Sequence, residues 1–284
     1  MQGRLHIEFF QAQLLPWRRI GSGASWPDVE VKFLSRDPGT GACSLLARYP
    51  AGWHREGTEY LEASEEFYVL DGEIQVNRQG YGNDCYAYLP RHWPRSAMRS
   101  DKGAVVLAFY DREPVLRHGA APQDVAQDTV IPFIDATKMP WDMTLNDPNL
   151  RHLGISRKNL RTDPLTGERT FLSLVLPHSA PDGDKGPREI HPCVEEAYVL
   201  SGALSGPHGV MYPGGYFWRP AGIPHGPFGA HWGSVSLMRF VGGRHQNVWT
   251  ADQAPFRFDA PYQPILPEEL AYLARQAWVP PPAW

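Results

Sequence analysis

One eight-residue frame occurs twice in this chain, and it limits the fold more than any other feature. Glu65-Glu66-Phe67-Tyr68-Val69-Leu70-Asp71-Gly72 is matched by Glu195-Glu196-Ala197-Tyr198-Val199-Leu200-Ser201-Gly202, and Pro90 to Arg95 by Pro220 to His225, all at an offset of 130 residues. Upstream, Phe9-Phe10-Gln11-Ala12 with Pro16-Trp17 answers Phe133-Ile134-Asp135-Ala136 with Pro140-Trp141 at an offset of 124. Asp37-Pro38-Gly39-Thr40-Gly41 answers Asp163-Pro164-Leu165-Thr166-Gly167 at 126. Four blocks in the same order indicate duplication of a unit of roughly 125 residues, an ordinary domain size. Gly119-Ala120-Ala121-Pro122-Gln123-Asp124 lacks an apolar period and marks a join, so the expected domains are 1–122 and 123–284.

Each unit is expected to be all-β. Apolar residues come in short runs, such as Phe67-Tyr68-Val69-Leu70, Ala104 to Phe109, Phe171 to Leu176 and Val235 to Phe240, and 28 Pro and 27 Gly punctuate the chain. Short runs closed by turn residues make strands rather than helices. Pro267 to Gln276 is the exception: its early acids, late Arg275 and Leu270/Leu273 spacing predict one short helix in a Pro-rich tail. That tail is expected to pack on a barrel or against a second copy in a homodimer.

Charge narrows the partners. With 27 Lys+Arg against 31 Asp+Glu and no basic run, neither nucleic acid nor an anionic membrane is expected, and a small-molecule substrate fits better. The first residues lack the apolar core of a signal peptide and no apolar stretch is long enough to span a bilayer, so a cytoplasmic protein is expected. Cys43, Cys85 and Cys193 are odd in number and far apart, which argues against a disulfide framework.

The chemistry concentrates in Glu189-Ile190-His191-Pro192-Cys193-Val194-Glu195 and in Pro220-Ala221-Gly222-Ile223-Pro224-His225. Side chains at i and i+2 of a strand share a face, so Glu189 and His191 can project together into a barrel. Pro192 ends that strand, Glu195 opens the next, and His225 arrives after a turn. Two imidazoles and a carboxylate, with positions left for water or substrate, form a facial ligand set that suits Fe(II); Zn, Mn, Ni and Co occupy similar sets. Glu189 is either a fourth ligand or a catalytic general base beside the metal. Glu196 and Tyr198 alternate away from Glu195. Arg219 or Arg239, if turned inward, would favour a carboxylate substrate. His6, His92, His118, His152, His208 and His245 have no motif context, and Cys193 is expected to hold a turn without chemistry.

These residues resemble the two motifs of the cupin superfamily, and their recurrence resembles a bicupin, with two tandem jelly-roll barrels. The Tyr-Val-Leu-x-Gly strands and the Pro-Ala-Gly-Ile-Pro-His turn are also similar to ChrR-type cupin domains. In that pattern His191 takes the second His position, Glu195 the Glu position seven residues before Gly202, and His225 the final His. Glu189 stands where the first His belongs. The resemblance implies metal-binding by His191, Glu195 and His225, with Glu189 added.

The first unit departs from it. Thr58 and Tyr60, or Glu59 and Leu61 in the ungapped repeat, replace the first-motif pair; Glu65 is kept and Arg95 replaces the last His. Arginine stays protonated and does not ligate metal. The first unit is therefore expected to be a degenerate barrel that stabilises the molecule or builds an interface; the other arrangements are an ion pair of Arg95 with Glu65 filling the vacated space, and a partial site from His54, Glu56 and Glu65. The leading functional expectation is a non-haem Fe(II) dioxygenase acting on an apolar, aromatic or diketone-like molecule. The alternatives are a non-redox isomerase, hydrolase or decarboxylase using the same ion, and a ligand or metal sensor without catalysis.

Overall fold

Strands cross-paired at a constant 130-residue offset organise the chain, which the computed structural model describes over residues 3–19, 28–144, 147–275 and 284. In the first repeat, strand Glu65–Gly72 lies between Cys85–Leu89 and Ala104–Tyr110, with Glu66 opposite Tyr88 and Tyr68 opposite Tyr86. In the second, Val194–Gly202 lies between Gly215–Arg219 and Ser234–Val241, with Glu196 opposite Trp218 and Tyr198 opposite Tyr216. The repeated glycine has a steric cause. Gly72 and Gly202 both sit at φ +72°, and a Cβ on either would come 2.1 Å from a backbone oxygen, that of Gly103 or Gly233. No side chain fits there.

The chain divides into two compact units, residues 1–4 with 16–139 and residues 5–15 with 140–284. This differs from the single cut at 122/123 expected from composition. The reason is an exchange of equivalent edge strands. Ile7–Gln11 pairs with Gly215–Arg219 in the second unit (Phe10 opposite Tyr216, Gln11 opposite Gly215). Its counterpart Ile131–Asp135 pairs with Cys85–Leu89 in the first (Ile134 opposite Tyr86, Asp135 opposite Cys85). Each repeat thus lends its first strand to the sheet of the other.

The first unit faces a seven-stranded sheet with a five-stranded one. Its interior is one continuous apolar cluster that includes Trp53, Phe67, Tyr81 and Val106. The second unit has a six-stranded sheet ordered Ile7–Gln11, Gly215–Arg219, Val194–Gly202, Ser234–Val241, Arg169–Val175, Ser156–Thr162. Opposite it, Lys185–Ile190 pairs with Val248–Pro255 and makes a bridge between Glu189 and His225. Here the apolar interior is broken into smaller clusters, around Phe9 and Phe217, around Leu153 and Val175, and around Phe171 and Phe240. Between them lies a cavity.

The segment after Pro267 forms a 3-10 helix, Glu268–Leu273, anchored by the buried Leu273; Gln276 lies outside the described residues. Cys43, Cys85 and Cys193 are free and buried. Among the described residues no helix is long and apolar enough to cross a membrane.

Candidate metal centre

Glu189, His191 and His225 each present a ligand-type atom within 4.8 Å of the others, and all three side chains are buried. Local structure produces this convergence. Glu189 and His191 lie two residues apart at the end of Lys185–Ile190, and reciprocal backbone hydrogen bonds of 2.9 and 3.0 Å between Glu189 and His225 pull the Pro220–Pro224 turn against that strand. The Gly222 amide adds a third bond, 2.9 Å, to the His191 carbonyl.

The two imidazoles are set for the same task. His191 Nδ1 lies 2.9 Å from the Gln246 carbonyl and His225 Nδ1 2.8 Å from the Ile223 carbonyl. A carbonyl accepts only, so each ring donates from Nδ1 and turns its Nε2 lone pair inward. His225 Nε2 and Glu189 Oε2 are buried without a hydrogen-bond partner. Buried polar atoms left without a partner are costly in an apolar interior, and a cation held by both would resolve that cost.

Glu195 closes the cluster on a different basis. Its Oε2 lies 3.3 Å from His225 Nε2 and 3.6 Å from His191 Nε2. The same oxygen accepts from Nη1 of Arg219, the residue directly across the strand pair. Arg219 in turn donates to both oxygens of Glu8, at 2.7 and 2.9 Å, from the exchanged N-terminal strand. Two carboxylates therefore share one guanidinium. The donor set is thus His191 and His225 with two carboxylates, Glu189 within 4.8 Å of both imidazoles and Glu195 at 3.3 and 3.6 Å but shared with Arg219.

The electrostatics follow from burial. Burial, reinforced by the charge of Glu195, pushes the Glu189 carboxyl up to about 8, and burial with the nearby Arg219 drives His225 far below the imidazole range. At neutral pH without a cation, the contact of 3.6 Å between His225 Nε2 and Glu189 Oε1 joins two neutral groups rather than an ion pair. A bound divalent ion would reverse the preference at Glu189 and would find His225 already deprotonated. These donors fit a divalent metal.

The cavity beside the cluster has about 640 Å³ of free space including its mouth. Phe171, Phe217, Phe228, Met238 and Leu153 give it an apolar wall, and Glu189, His191 and Glu195 form its polar end. A second depression, lined by His152, Pro187, Pro227 and Trp249, meets it at Glu189. Inward alternation runs Glu195, Ala197, Val199, leaving Glu196 on the other face, where Tyr216 donates to it at 2.6 Å and Arg239 also pairs with it. Phe217 and Arg219 therefore share the inner face, but Arg219 is engaged by Glu8 and Glu195.

Two cavity residues carried no sequence signal. His245 stacks on Phe240 at 3.7 Å and lies 5.0 Å from the His191 ring; burial and the neighbouring His191 hold it down at about 2. Arg157, from the edge strand Ser156–Thr162, also lines the cavity. His231 instead packs on His178, Trp232 and Phe258. Cys193 donates to the Arg244 carbonyl at 3.6 Å, and burial raises its thiol to about 11, an inert state.

In the first unit the equivalent position is filled by an ion pair. Arg95 donates to Glu65 Oε2 at 2.7 Å, and Tyr110 donates to the other oxygen. Arg95 lies opposite Glu59, as His225 lies opposite Glu189, so the ungapped repeat is the structural one and Leu61 stands for His191. Glu59 accepts from Arg55, and His54 and Glu56 are not drawn in beside Glu65, whose two oxygens are taken by Arg95 and Tyr110.

Two facing antiparallel sheets in a duplicated barrel, with His and Glu donors at one end, define the cupin fold. Residues 132–242 match the family described as the ChrR cupin-like domain. A "putative dioxygenase" from Nostoc punctiforme PCC 73102 superposes with a TM-score of 0.74 at 17% identity, covering 90% of this chain and 92% of that one. A single-residue variant of oxalate decarboxylase from Bacillus subtilis gives 0.53 at 14% identity, covering 85% and 79%. Another structure of that decarboxylase, described for its Mn(II) centres, gives 0.52 at 13%, covering 85% and 79%. At these identities the likeness is one of fold. No curated protein sequence matches the chain.

Proposed function

We propose that this protein is a metal-dependent cupin enzyme with one centre per chain, in the second barrel, and that it acts as a non-haem Fe(II) dioxygenase on a small organic molecule. One observation carries the reading: two imidazoles locked by backbone carbonyls converge with the buried Glu189 carboxyl, their ligand-type atoms within 4.8 Å of one another, beside an apolar cavity. His191, His225 and Glu189 would hold the ion, with Glu195 as the further carboxylate. A facial set of this kind leaves positions open for substrate and dioxygen. The chain's own contribution is to orient those donors, to exclude water with Phe171, Phe217, Phe228 and Met238, and to keep Arg219 neutralised by Glu8.

A second reading rests on Glu189. Held near 8 in the metal-free protein, and standing beside the ion with Glu195 as the ligating carboxylate, Glu189 would take up and release a proton at neutral pH as the general acid or base of an isomerase, hydrolase or decarboxylase. The two readings part in an oxygen electrode. Protein purified without added metal is analysed for iron and assayed for oxygen uptake on a panel of diketones and phenols. Stoichiometric iron with substrate-dependent uptake supports the dioxygenase; full turnover in iron-free or anaerobic preparations refutes it and favours the proton-transfer reading.

A further inference from the structure

The inner face of the second unit's sheet carries a polar row that neither the metal cluster nor core packing explains. Across three adjacent strands, Arg157 lies opposite Ser173 and Ser173 opposite Ser236, and all three line the cavity. The neighbouring row, Phe171 and Met238, is apolar, as a barrel core should be.

Arg157 is the unusual member. Its guanidinium sits 4.6 Å over the ring of Phe171, which lines the same cavity. Among the described residues no carboxylate lies within 4.0 Å of it, and its Nε is buried without a hydrogen-bond partner. Two other arginines near the cluster are already occupied: Arg219 is held by Glu8 and Glu195, Arg239 by Glu196. Burial lowers the Arg157 guanidinium to about 10, with Arg169 contributing, while Glu189 and Glu195 act in the opposite direction, so the two carboxylates are close enough to be felt. A half-buried, planar, five-donor cation lining an apolar cavity is the group that recognises a carboxylate.

We propose that Arg157, with the Ser173 and Ser236 hydroxyls beside it, is the anchor for the substrate's anionic end, so that the enzyme acts on a short organic carboxylate whose apolar body lies against Phe171 and Met238. The inference deepens the reading above and depends on it only in placing the other end of the substrate at Glu189, His191 and His225.

The test uses benzoate and benzamide, which share a shape and differ in charge. Binding of each to the full chain is measured by calorimetry, both metal-loaded and after chelation. Benzoate is expected to bind at least about tenfold more tightly than benzamide in both preparations, the value of one charge-assisted hydrogen-bonded pair. R157M is expected to bring the two within about twofold while metal content by mass spectrometry is unchanged, and R157K to retain part of the preference. Should R157M fail to fold by circular dichroism, R157Q takes its place. Equal or absent binding of the two probes by the wild type overturns the inference, as does a preference that survives in R157M. A preference seen only in the metal-loaded protein also overturns it, because the ion would then be the anchor. A chain that binds no metal yet keeps the Arg157-dependent preference refutes the proposed metal chemistry and leaves the carboxylate site standing.

Discussion

Glu8 offers the sharpest quantitative test of how the second barrel is held together, because it lies 211 residues from its partner Arg219. The Glu8 carboxyl is 1% exposed. Burial alone would raise it, but the Arg219 charge and the hydrogen bonds from Arg219 and His6 overcome burial and hold it at about 2, against an ordinary 4.5. At ~1.4 kcal/mol per pH unit, that displacement is worth about 3 kcal/mol at neutral pH. The figure agrees with the roughly 3–5 kcal/mol lost when one partner of a buried ion pair is removed. Glu8→Gln keeps the shape and removes the charge, leaving Arg219 to Glu195 alone. The sign of the pH dependence is fixed: a depressed carboxyl contributes fully above its unfolded value of 4.5, and the contribution disappears as pH falls toward 2. Hydrogen exchange of amides in Gly215–Arg219 is therefore expected to accelerate about a hundredfold in Glu8→Gln at pH 7, and the difference from wild type should shrink as pH falls from 4.5 to 2. Exchange in this strand unchanged at pH 7 would refute the claim that the exchanged N-terminal strand carries the counter-charge of the site.

Glu189 gives the opposite sign: because its folded value is raised from 4.5 to about 8, metal-free protein should lose stability as pH rises through that interval, by up to ~1.4 kcal/mol per pH unit, and Glu189→Gln should abolish the slope in urea titrations. Gly202→Ala forces a Cβ to 2.1 Å from the Gly233 oxygen at a φ of +72°, and a loss of at least about 2 kcal/mol is expected by denaturation; a neutral result would mean the turn relaxes freely. Arg95→Met leaves Glu65 buried without its cation and should cost about 3–5 kcal/mol in the first unit while metal content stays at the wild-type level.

The repeat made much of this architecture readable. Glu65-Glu66 and Glu195-Glu196 mark the same strand twice, and the constant offset carried Pro90 onto Pro220, which located the closing turn of each barrel. Alternation also set Glu189 with His191 and turned Glu196 away from Glu195, but it left open whether Arg219 or Arg239 faced the interior. The Arg95–Glu65 pair was one of the arrangements the charges allowed, a cation standing where a ligand would be beside a retained carboxylate. The exchange of Ile7–Gln11 and Ile131–Asp135 did not follow. Equivalent strands carry equivalent patterns, and nothing local tells an edge strand which of two similar sheets it joins. Glu8 was missed for the same reason. Arg157 and His245 were hidden because their roles depend on which side chains surround them: Arg157 sits in a mixed polar strand, Ser156–Thr162, and His245 in a loop with no period. The division of Glu195 between imidazoles and Arg219 is likewise a cross-strand register fact.

The central claim is that Glu189, His191 and His225 form one cation site in the second barrel, and cobalt(II) titration after chelation tests it most directly, because the visible absorption reports ligand type as well as stoichiometry. One equivalent of cobalt per chain is expected in the wild type and in Arg95→Met, and none in His191→Ala/His225→Ala. Stoichiometric cobalt retained by that double variant, with an unaltered spectrum, would contradict it.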